Sequence, residues 1–325
     1  MKRRSLQSGG VAALTSNLCK HFGIPCLLGS LLIQSGMAQD YGINLPPTQG
    51  SSGDGAFIPG IYNWSYTDSQ VAGAAAHFNM IRFPINEATA NNSASLTKLQ
   101  GYINQIPGHW AIICMFGASS GGGHGNGLPN GLSAMGAAWK NINAVFSSYP
   151  NVYYEIFNEP FGYTHGTAAE CAHYVSDMKT IIADGALPNS KCILDGLGYA
   201  DDIIDVAKNG WSGMLAYHFY PNWISTAADQ TQPNYSNLAQ AAIGSYGPRT
   251  FVTEFGANLT WANYGYDDPS GCYDTHTPAG NAWSADVNCL RGLDDALRAL
   301  KSEGHGVKGA FCWHGWNNDD SYDYW

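Results

Sequence analysis

Two glutamates stand at the ends of apolar runs, where a carboxyl can do acid–base or nucleophilic work. The first run is Tyr154-Glu155-Ile156-Phe157-Asn158-Glu159-Pro160; the second, Phe251-Val252-Thr253-Glu254-Phe255-Gly256, places its acid 95 residues after Glu159. Both read as strands with the acid at the C-terminal mouth, and Pro160 stops regular pairing after the first. A carboxyl beside apolar residues is disfavoured as the anion, so Glu159 is suited to donate a proton near neutrality. A second buried carboxylate must be paired to stay ionised. Arg82, in Ile81-Arg82-Phe83-Pro84 at another strand, is the partner expected for Glu254. The bland readings are a glutamate that caps a loop and an Arg–Glu pair that staples two strands.

Such residues need a scaffold that gathers distant strand ends. Short runs rich in Val, Ile, Phe and Tyr alternate with longer helical stretches, the pattern of βα units around a parallel sheet. The strands expected are Ala56–Ile61, Met80–Ile85, Ala111–Phe116, Val152–Asn158, Cys192–Asp195, Met214–Tyr220, Phe251–Phe255 and Gly309–Trp313. Eight is the number a closed (β/α)8 TIM barrel needs, and at roughly 250 residues such a barrel fits this chain as one domain. Helices are expected over Asp68–Phe78, Ser95–Ile106, Met135–Ser148, Ala168–Gly185, Leu238–Ser245 and Asn288–Glu303. Gln49–Gly55 reads as a flexible lead-in. Only twelve residues follow the last strand, too few for a full-length final helix and its loop, so either the barrel closes imperfectly or the chain stops early. The segments Gly117–Gly131, Pro221–Ser236 and Asn258–Ser284 follow strands and would wall a cleft on the catalytic face.

Of the 325 residues, 45% are hydrophobic and 12% charged, which supplies a large core. Lys2-Arg3-Arg4, the apolar stretch Phe22–Ile33 and the small residues of Gly36-Met37-Ala38 read as a signal peptide over 1–38, cleaved before Gln39. The barrel would then occupy 39–325 of a monomer secreted to the extracellular or periplasmic space. The apolar stretch falls short of the roughly 20 residues a membrane span needs. The mature chain keeps 11 basic and 25 acidic residues, a net charge of −14, which disfavours nucleic acid and anionic membranes as partners. Six cysteines remain, an even number that suggests disulfides in an exported chain. Cys171–Cys192 and Cys272–Cys289 are the expected pairs, with Cys114 and Cys312 as buried thiols.

Arg82-Phe83-Pro84, Asn158-Glu159-Pro160, His218-Phe219-Tyr220, Glu254-Phe255-Gly256 and Trp313 fall in this order on successive strand candidates. Together they resemble glycoside hydrolase family 5, the cellulase and mannanase family of clan A, over roughly Gly55 to Trp316. The resemblance implies a retaining endo-β-1,4-glucanase acting on a β-linked polysaccharide by double displacement, without cofactor or metal. On that reading Glu254 is the nucleophile and Glu159 the acid/base, with the carboxyls about 5–5.5 Å apart. Asn158 would bond the sugar 2-hydroxyl, Arg82 and Tyr220 would orient Glu254, His218 would hold the surrounding network, and Trp313 would floor the sugar site. Members often carry a histidine near the end of the third strand. Here Gly117-Ala118-Ser119-Ser120 follows, and His124 is the candidate substitute. Trp64, Trp223, Trp261 and Trp316 lie near strand ends, where indoles can pack on sugar faces; Trp223 is the substrate contact expected.

Rival readings are weaker. An endo-β-1,4-mannanase or another β-glycosidase of the same family fits the same motifs. Gly121-Gly122-Gly123-His124-Gly125 lacks the Lys-Ser/Thr ending of a phosphate loop, and no His-Glu-x-x-His occurs for a zinc hydrolase. A non-catalytic carbohydrate-binding barrel would keep the tryptophans, but the presence of both glutamates argues against it.

Overall fold

Eight short runs of strand-forming residues, each inward-facing at every second position, close on one another as a ring. The computed structural model describes residues 41–45, 68–117, 125–257 and 285–313. The strands are β1 (Tyr41–Asn44), β2 (Met80–Asn86), β3 (Trp110–Phe116), β4 (Val152–Glu155), β5 (Cys192–Asp195), β6 (Met214–Phe219), β7 (Thr250–Phe255) and β8 (Gly309–Cys312). All neighbours are parallel and follow chain order, and β8 pairs back onto β1. Around them lie α1 (Asp68–His77), α2 (Ser93–Asn104), α3 (Leu132–Phe146), α4 (Ala168–Asp184), α5 (Ile203–Lys208), α6 (Gln232–Ile243) and α7 (Ala285–Ser302). Side-chain oxygens of Asn92, Thr167, Asp202 and Thr231 accept from the first-turn amides of α2, α4, α5 and α6, which fixes where these helices begin. Among the described residues no helix is long and apolar enough to cross a membrane.

The core has two parts because strand side chains alternate. Outward residues such as Phe83, Tyr154, Leu194 and Val252 pack under the helices with Trp139 and Tyr174. Inward residues fill the bore: Met80, Ile112, Ile193, Met214, Ala216, Phe251 and Phe311 form one dry cluster. Gly42 is required there, since a Cβ would lie 2.3 Å from the Phe311 ring.

Four expectations change. The first strand is Tyr41–Asn44, which fills the slot between β8 and β2; 56–61 and 49–55 lie outside the described residues, and both follow β1 rather than precede it. Closure is regular, with Tyr41, Gly42 and Ile43 registered on Ala310, Phe311 and Cys312. A short helix, α5, occupies the crossover where none was expected, and α6 starts at Gln232 because Thr231 caps it. The Cys171–Cys192 disulfide does not form: both are buried free thiols, Cys171 on the packed face of α4 and Cys192 at the start of β5, donating to the Pro188 carbonyl at 3.4 Å. Burial pushes Cys171 up to about 11 and Cys192 up to about 12, so neither is a ready thiolate. Cys289 is a buried free thiol, and its expected partner Cys272 lies outside the described residues. Cys114 and Cys312 are buried, as expected.

Candidate active site

Two residues above the dry cluster, the same alternation turns polar. Asn44, Arg82, Cys114, Glu155, Asp195, His218 and Glu254 form a polar layer in the bore, one from each of β1 to β7, and all are nearly or wholly buried. Arg82 is the hub. Its Nε and Nη2 donate to the two oxygens of Glu155 at 2.7 and 2.8 Å, and Nη1 donates to Asn44 Oδ1 at 2.8 Å and Glu254 Oε1 at 2.5 Å. Nη2 also reaches Asn158 Oδ1 at 2.6 Å and Cys114 Sγ at 3.0 Å. A charge removed from water needs such partners, and this guanidinium has them on every side.

Glu254 points inward because of a bulge. Along β7, simple alternation from Phe251 would send Thr253 into the bore and Glu254 out to the helices. The pairing instead moves from Tyr217↔Val252 to His218↔Glu254, and from Val252↔Ala310 to Phe255↔Cys312, so Thr253 is one residue too many against both neighbours. Asn44 Nδ2 donates to the Thr253 carbonyl at 3.0 Å, holding the distorted segment. A bulge that re-aims a side chain is a recurrent device next to active sites.

Glu254 accepts from Arg82 on Oε1 and from the Tyr220 hydroxyl on Oε2 at 2.8 Å. Burial first, then the charges of Glu254 and Glu159, push the Tyr220 phenol well above its ordinary range, so it remains a donor. These two donors fix the orientation of the Glu254 carboxyl. Glu159 lies opposite, with a left-handed backbone (φ 47°) uncommon for a non-glycine residue. His218 Nδ1 lies 3.0 Å from Glu159 Oε1 and 3.6 Å from Glu254 Oε2, touching both acids. One ligand atom each from Glu159, His218 and Glu254 falls within a mutual distance of 4.8 Å, so the two carboxylates face each other at the mouth. That trio, and Glu155, Asp195 and His218 below it, have ligand types a divalent ion can use. The positive charge at Glu254 is already supplied by Arg82, which a cation would have to displace.

Asn158 accepts from Arg82 through Oδ1, which leaves its amide nitrogen to serve a ligand hydroxyl. Trp313 stacks on Phe116 with ring centroids 6.2 Å apart, and a second aromatic group stands apart from this pair. That group runs from Tyr220 to Trp223 (5.8 Å), Tyr199 (6.3 Å) and Phe161, which stacks on Tyr199 at 5.0 Å. Trp223 Nε1 donates to the His218 carbonyl at 2.9 Å, tying this wall to β6. Arg82, Asn158, Glu159, His218, Tyr220, Trp223, Glu254 and Trp313 are thus brought to one mouth; His124, Trp64, Trp261 and Trp316 lie outside the described residues. Sequence reasoning missed Asn44, Glu155 and Asp195. Glu155 sits in the same run as Glu159, four residues earlier, and the inward alternation of β4 was the signal that could have found it.

A closed parallel barrel with two facing glutamates at its C-terminal mouth, one braced by an arginine and a tyrosine, has the form of a glycoside-cleaving enzyme. Residues 126–289 match the family model described as Cellulase (glycosyl hydrolase family 5). The chain belongs to glycoside hydrolase family 5. A curated relative, Endoglucanase A of Evansella cellulosilytica, is 29% identical over 129 residues, which is 38% of this chain and only 24% of that protein. An endo-beta-1,4-glucanase from Xanthomonas axonopodis pv. citri has a similar structure, with TM-score 0.59 and 16% identity over 87% of this chain and 92% of that one. A family 5 xyloglucanase from Paenibacillus pabuli gives 0.57 and 16% over 88% and 93%, and a beta-mannanase from Streptomyces thermolilacinus 0.52 and 16% over 85% and 81%. At these identities the structural likeness shows the barrel, which is shared by enzymes of different substrate.

Proposed function

We propose that this protein is a secreted, retaining endo-β-1,4-glucanase of the cellulase type. The observation that carries the reading is the approach of Glu159 and Glu254 carboxylate oxygens within 4.8 Å. A retaining pair stands about 5–5.5 Å apart, whereas an inverting pair is spread by about 6.5–9.5 Å to admit a water. Glu254, held by Arg82 and Tyr220, directs a carboxylate oxygen at the anomeric carbon. The C–O bond to the leaving sugar breaks as the new ester bond forms, and Glu159 gives its proton to the departing oxygen. Glu159, now a carboxylate, takes a proton from water, whose oxygen displaces Glu254 and restores it. Two inversions leave the configuration retained. Asn158 bonds the sugar 2-hydroxyl most strongly as positive charge develops on the ring, so its contribution falls mainly on rate. Trp313 packs beneath that ring and Trp223 flanks the cleft. The scheme needs no cofactor.

The curated relative's name favours glucan; mannan and xyloglucan are the substrates to test beside it. Export is part of the proposal. Cleavage before Gln39 would leave β1 intact, since that strand begins at Tyr41, and the mature protein would act as a monomer. The test compares wild type with Glu159→Gln and Glu254→Gln on cellulose-type glucan, mannan and xyloglucan, with product sizing and NMR of the first anomer released. A β-anomer from wild type and loss of hydrolysis in both variants are expected. Undiminished hydrolysis by either variant, or an initial α-anomer, removes the mechanism; a wild type that binds but cleaves no β-glycan favours a binding barrel instead. N-terminal sequencing of protein from the medium checks the cleavage point.

A further inference from the structure

Behind Glu159 lies a buried acid that the double displacement does not use. Asp195 ends β5 and is wholly buried. Alternation from Ile193, which belongs to the dry cluster, aims it into the bore. Its Oδ2 accepts the backbone N–H of Glu159 at 2.9 Å, and so engages the residue whose backbone is left-handed. Its Oδ1 accepts from no donor, and its side chain lies within hydrogen-bonding reach of Glu155, a contact that two carboxylates can make only if one of them carries a proton. On the far side, His218 Nε2 stands 4.0 Å from Asp195 Oδ2 and also has no partner, while Nδ1 of the same ring contacts the Glu159 carboxylate. Asp195 therefore holds Glu159 directly at the amide and lies beside the imidazole ring that contacts the Glu159 carboxylate.

The surroundings argue against an anion at Asp195. Among the described residues no lysine or arginine pairs with it, because the one guanidinium nearby is bound on both sides by Glu155 and committed at its remaining nitrogen to Glu254 and Asn44. An ionised carboxylate with one oxygen unbonded in a dry site is costly; the neutral acid is much less so. Glu155 and Asp195 lie so close, with ligand atoms within 4.8 Å, that two charges there would repel. The groups facing Asp195 are Glu155 and Glu159 from β4 and its mouth, His218 from β6, Arg82 from β2, Cys114 from β3 and Tyr174 from α4. In that company burial, then the charge of Glu155, pushes Asp195 well above its ordinary range. Glu155 goes the other way: burial would raise it, but Arg82 holds it below.

We propose that Asp195 is a positioning residue that works as an uncharged carboxylic acid, fixing the backbone of Glu159 and leaving the His218 ring to serve the acid/base alone. An ionised Asp195 would instead attract a proton to Nε2, and a charged imidazole against Glu159 would weaken that group's hold on the proton it must deliver. This rests on Glu159 being the acid/base, so the experiment separates the two ideas. Asp195→Ala is expected to lower kcat about 10²-fold, the scale of a catalytic group misplaced by roughly 1 Å, with KM little changed. Asp195→Asn keeps an acceptor for the Glu159 amide and cannot ionise. It should recover most of that loss, with no shift of the alkaline limb of the pH profile to lower pH. Infrared difference spectra should show a protonated-carboxyl band in wild type that is missing in Asp195→Asn, a readout independent of turnover. Asn failing as badly as Ala, Ala retaining wild-type kcat, or no protonated band at neutral pH would each overturn the proposal; an active Glu159→Gln would instead overturn the reading beneath it.

Discussion

The lower and upper halves of the barrel bore are built by the same strands, two residues apart, yet they work in opposite ways. Below, Met80, Ile112, Ile193, Phe251 and Phe311 meet ring to ring and methyl to methyl, with Phe251 and Phe311 centroids 6.3 Å apart. Their burial stabilises at any pH. Above, one arginine faces Glu155 and Glu254, and two more acids, Asp195 and Glu159, stand within the same ring of strands. That layer is held by charge balance, and its worth changes with every proton. The apolar half is a foundation that lets the charged half be strained.

Four experiments test this contrast. Arg82→Met should have the largest effect, since it leaves Glu155 and Glu254 buried without their cation. Losing one partner of such a network costs about 3–5 kcal/mol, read by urea unfolding, and hydrolysis should fall with it. Phe251→Ala in the lower half should cost a similar or slightly smaller amount, about 3–5 kcal/mol for a buried aromatic. Its pH–rate profile should keep its shape; a shifted profile would mean that the halves are coupled. Gly42→Ala should cost about 1–3 kcal/mol by overpacking, because its Cβ would strike Phe311 at 2.3 Å. The smallest effect is one of curve shape. Although burial opposes it, Arg82 holds Glu155 below its ordinary value. Its contribution is therefore full above about 4.3, the unfolded value, and is lost as pH falls through the lower folded one. Asp195 is raised, so it costs stability as pH climbs above about 3.9 toward its folded value. Glu155→Gln should flatten the acid side of the stability curve, whereas Phe251→Ala should displace the curve without reshaping it.

What the sequence made legible follows from which features are local. Glu159, Glu254 and Arg82 could be read because each sits in an apolar run with a turn former or proline close behind. Asn44 could not, because β1 is four residues, Tyr-Gly-Ile-Asn, with too little length for alternation to register. The richer run at 56–61 drew the assignment instead. Asp195 ends a strand that was located correctly, but nothing beside it marks an acid that faces inward. The bulge at Thr253 was invisible as well. Read by simple period-two alternation, Glu254 belongs under the helices, and only the register against β6 and β8 turns it into the mouth. Counting cysteines gave an even number, yet Cys171 and Cys192 are packed separately, and parity carries no geometry.

The closing seam has a bearing on how the chain comes into being. Ile43 finds its partner Cys312 only 269 residues later. All eight strands must emerge before the ring can shut, and contacts so distant along the chain form slowly. Until then the first strand waits with one edge unsatisfied. A chain that matures this late stays threadable for most of its synthesis, as the proposed export requires.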